Sequence, residues 1–267
     1  MRLALPLLAA ALAAGCASRV PPRPVPPERI ALLVGLAQGE WERWGRIDVR
    51  VPPGDEFCAE LSDGRCEKID DGCGQEQDAL LCPVVNEYWE AVHPGEAGGP
   101  RHWCSQMQYC EAHWQPGWGT PDDTPPWSAA FISALMRRAG FGEGEFAFSD
   151  THADYVVAAR DGRRSAYEAV ATPASAQPGD LICATRQVHP GDAMPATLAA
   201  VRGGYSATAM HCDLVVAVDP AAHRLDAIGG NVQQAVARSR VTLDAQGRVN
   251  GTLNASRPWV AVLRLYR

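Results

Sequence analysis

Pro125-Pro126-Trp127-Ser128-Ala129-Ala130-Phe131-Ile132 begins the run on which the fold turns. Proline fixes φ and restricts the residue before it, so the two prolines predict an extended entry. Beyond them Phe131, Leu135 and Ala139 recur every four residues with Ile132 and Met136 beside them. That period predicts a helix with one buried face. Arg137 and Arg138 suit its C-terminal end and Gly140 supplies a stop. Ser128 falls at the helix start, where free backbone N–H groups and the helix dipole favour an N-cap or a nucleophile.

The flanking chain divides by composition. Arg2, the apolar stretch Leu3 to Leu12, and Ala13-Ala14-Gly15 before Cys16 form a segment too short to span a bilayer. It resembles a bacterial lipobox, which implies a signal peptide over residues 1–15 and lipidation of Cys16. No Asp follows Cys16, so the resemblance further implies an outer-membrane lipoprotein facing the periplasm. Residues 16–28 are rich in proline and read as an extended tether. The remaining 29–267 read as a single domain.

Apolar residues make up 46% of the chain, enough for a substantial core, and the net charge is −7. Without a cluster of Lys and Arg, nucleic acid is not expected as a partner. Apart from Cys16 there are eight cysteines: Cys58, Cys66, Cys73, Cys82, Cys104, Cys110, Cys183 and Cys212. An even count in an exported chain predicts disulfides, and the absence of a Cys-x-x-Cys pair argues against a zinc finger. Six of the eight lie in residues 54–118, a Gly- and acid-rich stretch of little periodicity that reads as a disulfide-rich insertion. Trp103, Tyr109, Trp114 and Trp118 there are either a sugar-stacking surface or packing for the disulfides.

Elsewhere the pattern predicts a helix from Arg29 to Trp44, a strand over Ile47–Val51, and a helix from Ser149 to about Arg160 with His152 near its start. Further strands are expected at 167–171, 181–184, 211–218, 224–228, 236–243 and 259–266. Pro178-Gly179-Asp180 and Gly229-Gly230-Asn231 read as turns. Helices followed by short strands give an α+β class.

A helix opening Trp-Ser-Ala-Ala-Phe, then Pro-Gly-Asp-Leu-Ile, then a strand starting at His211, then Gly-Gly-Asn resembles the papain-like NlpC/P60 and CHAP cell-wall hydrolases, over residues 115–267. The resemblance implies helices packed on a small antiparallel sheet or half-barrel, with no cofactor or metal. It also implies a peptidoglycan or cell-wall-peptide partner and cleavage of an amide or peptide bond. Carried over, Ser128 takes the nucleophile position, His211 the base and Asn231 the orienting position. Asp213, on the same strand face as His211, is a second partner for it. Trp127, His152 and Arg186 are the implied substrate contacts. In that family the nucleophile is Cys, whereas this chain has Ser. A serine needs a base during attack, because its hydroxyl does not ionise as a thiol does. The chain also resembles a bacterial lipoprotein family known as domain of unknown function 2272, which carries Pro-Trp-Ser-Ala-Ala-Phe. Two other readings stand beside the hydrolase: a catalytically inactive papain-like binding module, and a metal site from His152, Asp154, His211 and Asp213. Cys183 and Cys212 lie on neighbouring expected strands, either as a disulfide or as two buried thiols.

Overall fold

The computed structural model describes residues 23–51, 58–60, 66–68, 80–95, 126–163, 165–187, 194–251 and 257–267, with backbone alone for 50–51, 58–60 and 66–68. The signal peptide, Cys16, most of the tether, Cys73, Cys104, Cys110 and the tryptophans at 103, 114 and 118 lie outside the described residues.

The chain folds as α+β. Helix α1 (Pro27–Arg43) precedes strands β1 (Ile47–Val51), β2 (Cys58–Glu60) and β3 (Cys66–Lys68). Helices α2 (Cys82–Glu90), α3 (Ser128–Arg138) and α4 (His152–Arg160) follow. The C-terminal half is β4 (Tyr167–Ala171), β5 (Leu181–Thr185), β6 (Met210–Asp219), β7 (Arg224–Val232), β8 (Ala235–Thr242) and β9 (Trp259–Leu265). All nine join one sheet in the order β3-β2-β1-β8-β7-β6-β5-β9-β4. Its pairs are antiparallel except β1 with β8, where Asp48 accepts from Arg238 at 2.7 and 2.8 Å and from Arg240 at 3.1 Å.

Helix α3 is buried on all sides from Ser128 to Met136 rather than on one face alone, and its end is a Schellman motif. Gly140 adopts φ 79°, its N–H bonds Arg137 O at 2.9 Å, and Phe141 N–H bonds Met136 O at 3.0 Å. The start of α3 is fixed by aromatics. Trp127 is fully buried, stacked on Trp44 at 5.3 Å and Tyr88 at 5.5 Å, so it is a core residue rather than the expected substrate contact. Tyr88 comes from α2, which therefore makes part of the stretch read as an insertion belong to the core. Val25 is also buried and its N–H bonds Tyr266 O at 2.7 Å, so the folded part begins inside the expected tether.

Pro178-Gly179-Asp180 is the expected turn, closed by Asp180 N–H to Gln177 O at 3.0 Å. Asp180 of Pro178-Gly179-Asp180 is buried and accepts from Leu265 N–H at 3.1 Å, Gln177 N–H at 2.8 Å and Arg267 at 2.8 Å, tying β5 to the end of β9. Gly229-Gly230-Asn231 is not a turn. It continues β7 through a register shift, and the turn comes after Val232. A Cβ at Gly230 would stand 2.5 Å from Phe131 Cβ and 2.7 Å from Trp127 Cζ3, so glycine lets β7 approach the start of α3. The Cys183–Cys212 disulfide forms across directly paired residues of β5 and β6, and Cys82 is also disulfide-bonded.

Gly230→Ala should destabilise the protein by about 1–3 kcal/mol through overpacking at this contact. Urea unfolding measures it, and a midpoint equal to wild type would show that the approach of β7 to α3 does not constrain the fold.

Candidate functional site

Ser128 is the first helical residue of α3, but it is not a cap. Trp127 occupies the cap position and no side-chain cap bond forms. The Ser128 hydroxyl instead meets His152 Nε2 at 2.7 Å. His152 is itself the first residue of α4, so the N-terminal turns of two helices converge on this hydrogen bond. Among the described residues the N–H groups of residues 128–130 have no acceptor, and the first α3 hydrogen bond runs from Phe131 N–H to Trp127 O at 3.0 Å. Unpaired N–H groups at a helix start are of the kind that can stabilise a developing oxyanion.

The other nitrogen of His152, Nδ1, contacts the Tyr155 hydroxyl one turn along α4. Both side chains are buried. Burial, then the neighbouring charges of His211 and Arg186, hold His152 well below the usual histidine range. Burial and the Asp213 carboxylate push the Tyr155 phenol well above its ordinary value. His152 is thus a neutral imidazole, and Tyr155 an un-ionised phenol.

His211 lies edge-on to His152, with ring centroids 5.4 Å apart. Its Nε2 bonds Asp213 Oδ1 at 2.7 Å, the same-face partner two residues along β6. Gly229 makes room for this pair: a Cβ there would lie 1.7 Å from Asp213 Oδ1 and 3.1 Å from His211 Nε2. The Gly-Gly pair therefore clears the polar pair with one residue and the aromatic platform with the next.

The expected constellation is thus rearranged. His152, read from sequence as a substrate contact, occupies the position on Ser128 expected for His211. Asp213 rather than Asn231 holds His211. Asn231 has φ 54° and lines a separate cavity of about 200 Å³ with His211, Gln233, Gln234 and Arg257, without a hydrogen bond to His211. Ser128, His152 and Arg186 do come together in a larger cavity of about 360 Å³, with Asp150 and Tyr205 on its wall. Asp154 shapes one side by accepting from Ser149 Oγ at 2.8 Å and Gly204 N–H at 2.7 Å. Among the described residues no group of three or more His, Cys, Asp or Glu is placed to hold a metal ion. Tyr155 and Asp150 have no part in the motif reading. The i, i+3 spacing of His152 and Tyr155 is the signal that places the former pair on one helix face.

A family described as an uncharacterized protein conserved in bacteria, DUF2272, matches residues 76–265, and the chain belongs to it. No curated protein and no solved structure matches the chain.

The neutral His152 has a measurable consequence. Its folded affinity for a proton is below that of the unfolded chain, near 6.5. As pH falls below that value the unfolded state takes up a proton that the native state resists, so stability is lost; above it this group has no effect. Between pH 6.5 and 5 the wild type should lose up to about 1.4 kcal/mol per pH unit more than His152→Gln. Urea unfolding across that range tests this, and parallel losses in both proteins would show that His152 is not held neutral.

Proposed function

We propose that this member of the family is a cell-envelope lipoprotein that cleaves an amide or peptide bond of peptidoglycan by acyl transfer from Ser128. The observation that carries the reading is the 2.7 Å contact between Ser128 Oγ and His152 Nε2 at an open cavity. A helix-start nucleophile facing a histidine, a Pro-Gly-Asp strand and a His at the head of the next strand support a papain-like ancestry. The lipobox-like segment ending at Cys16 and the even set of remaining cysteines support an outer-membrane anchor and a periplasmic setting.

In this mechanism Ser128 Oγ attacks the substrate carbonyl as its proton passes to His152 Nε2. That step requires the tautomer whose Nδ1–H donates to the Tyr155 hydroxyl, leaving Nε2 to accept. The free N–H groups at the start of α3 receive the oxyanion. Collapse of the intermediate breaks the C–N bond, and the leaving amine takes the proton back from His152. Water then repeats the cycle on the Ser128 ester, and His152 again moves the proton. Asp213 orients His211 and contributes negative charge near Tyr155.

The second reading, an inactive papain-like domain that binds a cell-wall or protein partner, is favoured by the opposite tautomer. If Tyr155 donates to Nδ1, Nε2–H donates to Ser128 and the hydroxyl has no base. Digestion of purified sacculi separates the two. Wild type should release soluble fragments with new amino groups, and Ser128→Ala should slow this by about 10³-fold or more. Equal rates would remove Ser128 from the reaction. Turnover confined to Ser128→Cys would identify a binding scaffold that has lost its enzyme. For the anchor, radiolabelled palmitate should enter the wild type and not Cys16→Ser, and incorporation into both would refute lipidation at Cys16.

A further inference from the structure

Arg186 follows β5 and is held at its backbone by a 2.9 Å bond from its N–H to Ala209 O. Its side chain is partly buried in the wall of the cavity that contains Ser128 and His152. Other partly buried arginines of the fold have anionic or carbonyl partners. Arg29 has Glu145, Arg138 has Glu40, Arg160 has Val201 O, and Arg238 has Asp48. The Arg186 guanidinium has none among the described residues. The nearest acid of the cavity wall, Asp150, is engaged by His93 at 3.3 Å and by the Thr151 hydroxyl at 3.3 Å. Arg257 lies close enough to add like-charge repulsion rather than relief.

A cation taken from water without a counter-ion is costly, and a guanidinium presents a planar fork matched to a carboxylate. The cavity has about 360 Å³ for what that carboxylate belongs to. Pockets for small ligands begin near roughly 300 Å³, so one or two amino-acid residues fit.

We propose that this cavity takes a peptide bearing a free carboxylate, which pairs with Arg186 and places a neighbouring amide at Ser128. The inference rests on the hydrolase reading for the amide and on Arg186 alone for the carboxylate. The bound anion has a second effect. Arg186 is one of the charges that disfavour a proton on His152. Neutralising it makes the imidazole a better base once substrate is in place.

Binding is measured by calorimetry on the full chain carrying Ser128→Ala, which removes turnover. Three probes are compared: N-acetyl-D-alanyl-D-alanine, its C-terminal amide, and N-acetyl-D-alanyl-D-glutamic acid α-amide. At least one acid should bind about tenfold or more tighter than the uncharged amide, as expected of a charge-assisted bidentate pair. A preference for the first acid identifies a chain-end carboxylate, and a preference for the second an acidic side chain. Arg186→Met should abolish the preference, and Arg186→Lys, which keeps the charge without the fork, should reduce it. Equal binding of acids and amide, no binding of any probe, or an undiminished preference in Arg186→Met overturns the proposal. If Arg186→Met does not fold, an undiminished preference in Arg186→Lys does so. Sacculus cleavage that fails while the acid preference survives counts against the reaction and leaves the carboxylate site standing.

Discussion

The burial of Trp127 is the constraint on which the site depends. Its indole fills the space between Trp44 of the α1 end and Tyr88 of α2, and Gly230 of β7 closes over it. A side chain of this size contributes on the order of 2–3 kcal/mol by burial alone, and stacking adds to it. The polar edges are satisfied: Trp44 Nε1–H donates to the Tyr88 hydroxyl at 3.0 Å, which donates to Glu40 at 2.6 Å. Glu40 in turn accepts from Arg138 at 2.6 Å, at the other end of α3. The same network therefore holds both ends of the helix. Ser128 follows Trp127 directly, so the position of its hydroxyl is inherited from the aromatic stack.

A rigid platform permits an unfavourable neighbour. His152 and Tyr155 are polar groups without solvent, and each depends on the other and on Ser128 for hydrogen bonding. His211 and Asp213 continue this polar seam along β6, while Cys212 between them faces the apolar side and bonds Cys183. The alternation of the strand thus puts a disulfide-locked core on one face and the polar pair on the other. One register shift would exchange those faces, and the cross-strand disulfide holds the β5–β6 register against it.

Most of the architecture is legible in the sequence because periodicity reports local burial. The α3 helix, its glycine stop and the strands of the C-terminal half need no knowledge of distant partners. Gly229-Gly230-Asn231 is misread as a turn for the opposite reason. Its glycines answer to Asp213, His211, Phe131 and Trp127, none of which is near in sequence. His152 presents the same difficulty. A histidine at a helix start looks like a surface or pocket residue until the helix is known to point at another helix start. Asp213 is legible from the two-residue strand period, whereas Trp127 as core requires the positions of α1 and α2.

Serine at position 128 and a buried histidine beside it are chemically consistent. A cysteine at this point works best as a thiolate beside an imidazolium, a pair that needs charge in the resting state. Here burial, His211 and Arg186 all oppose a charged His152. A hydroxyl with a neutral imidazole demands no resting charge, since the proton moves only during attack. In the proposed acyl transfer the cost falls in the transition state, where an imidazolium must form in the same surroundings. An anion that neutralises Arg186 would lower that cost. The hydroxyl of Ser128 and the environment that keeps His152 neutral therefore belong to one electrostatic arrangement.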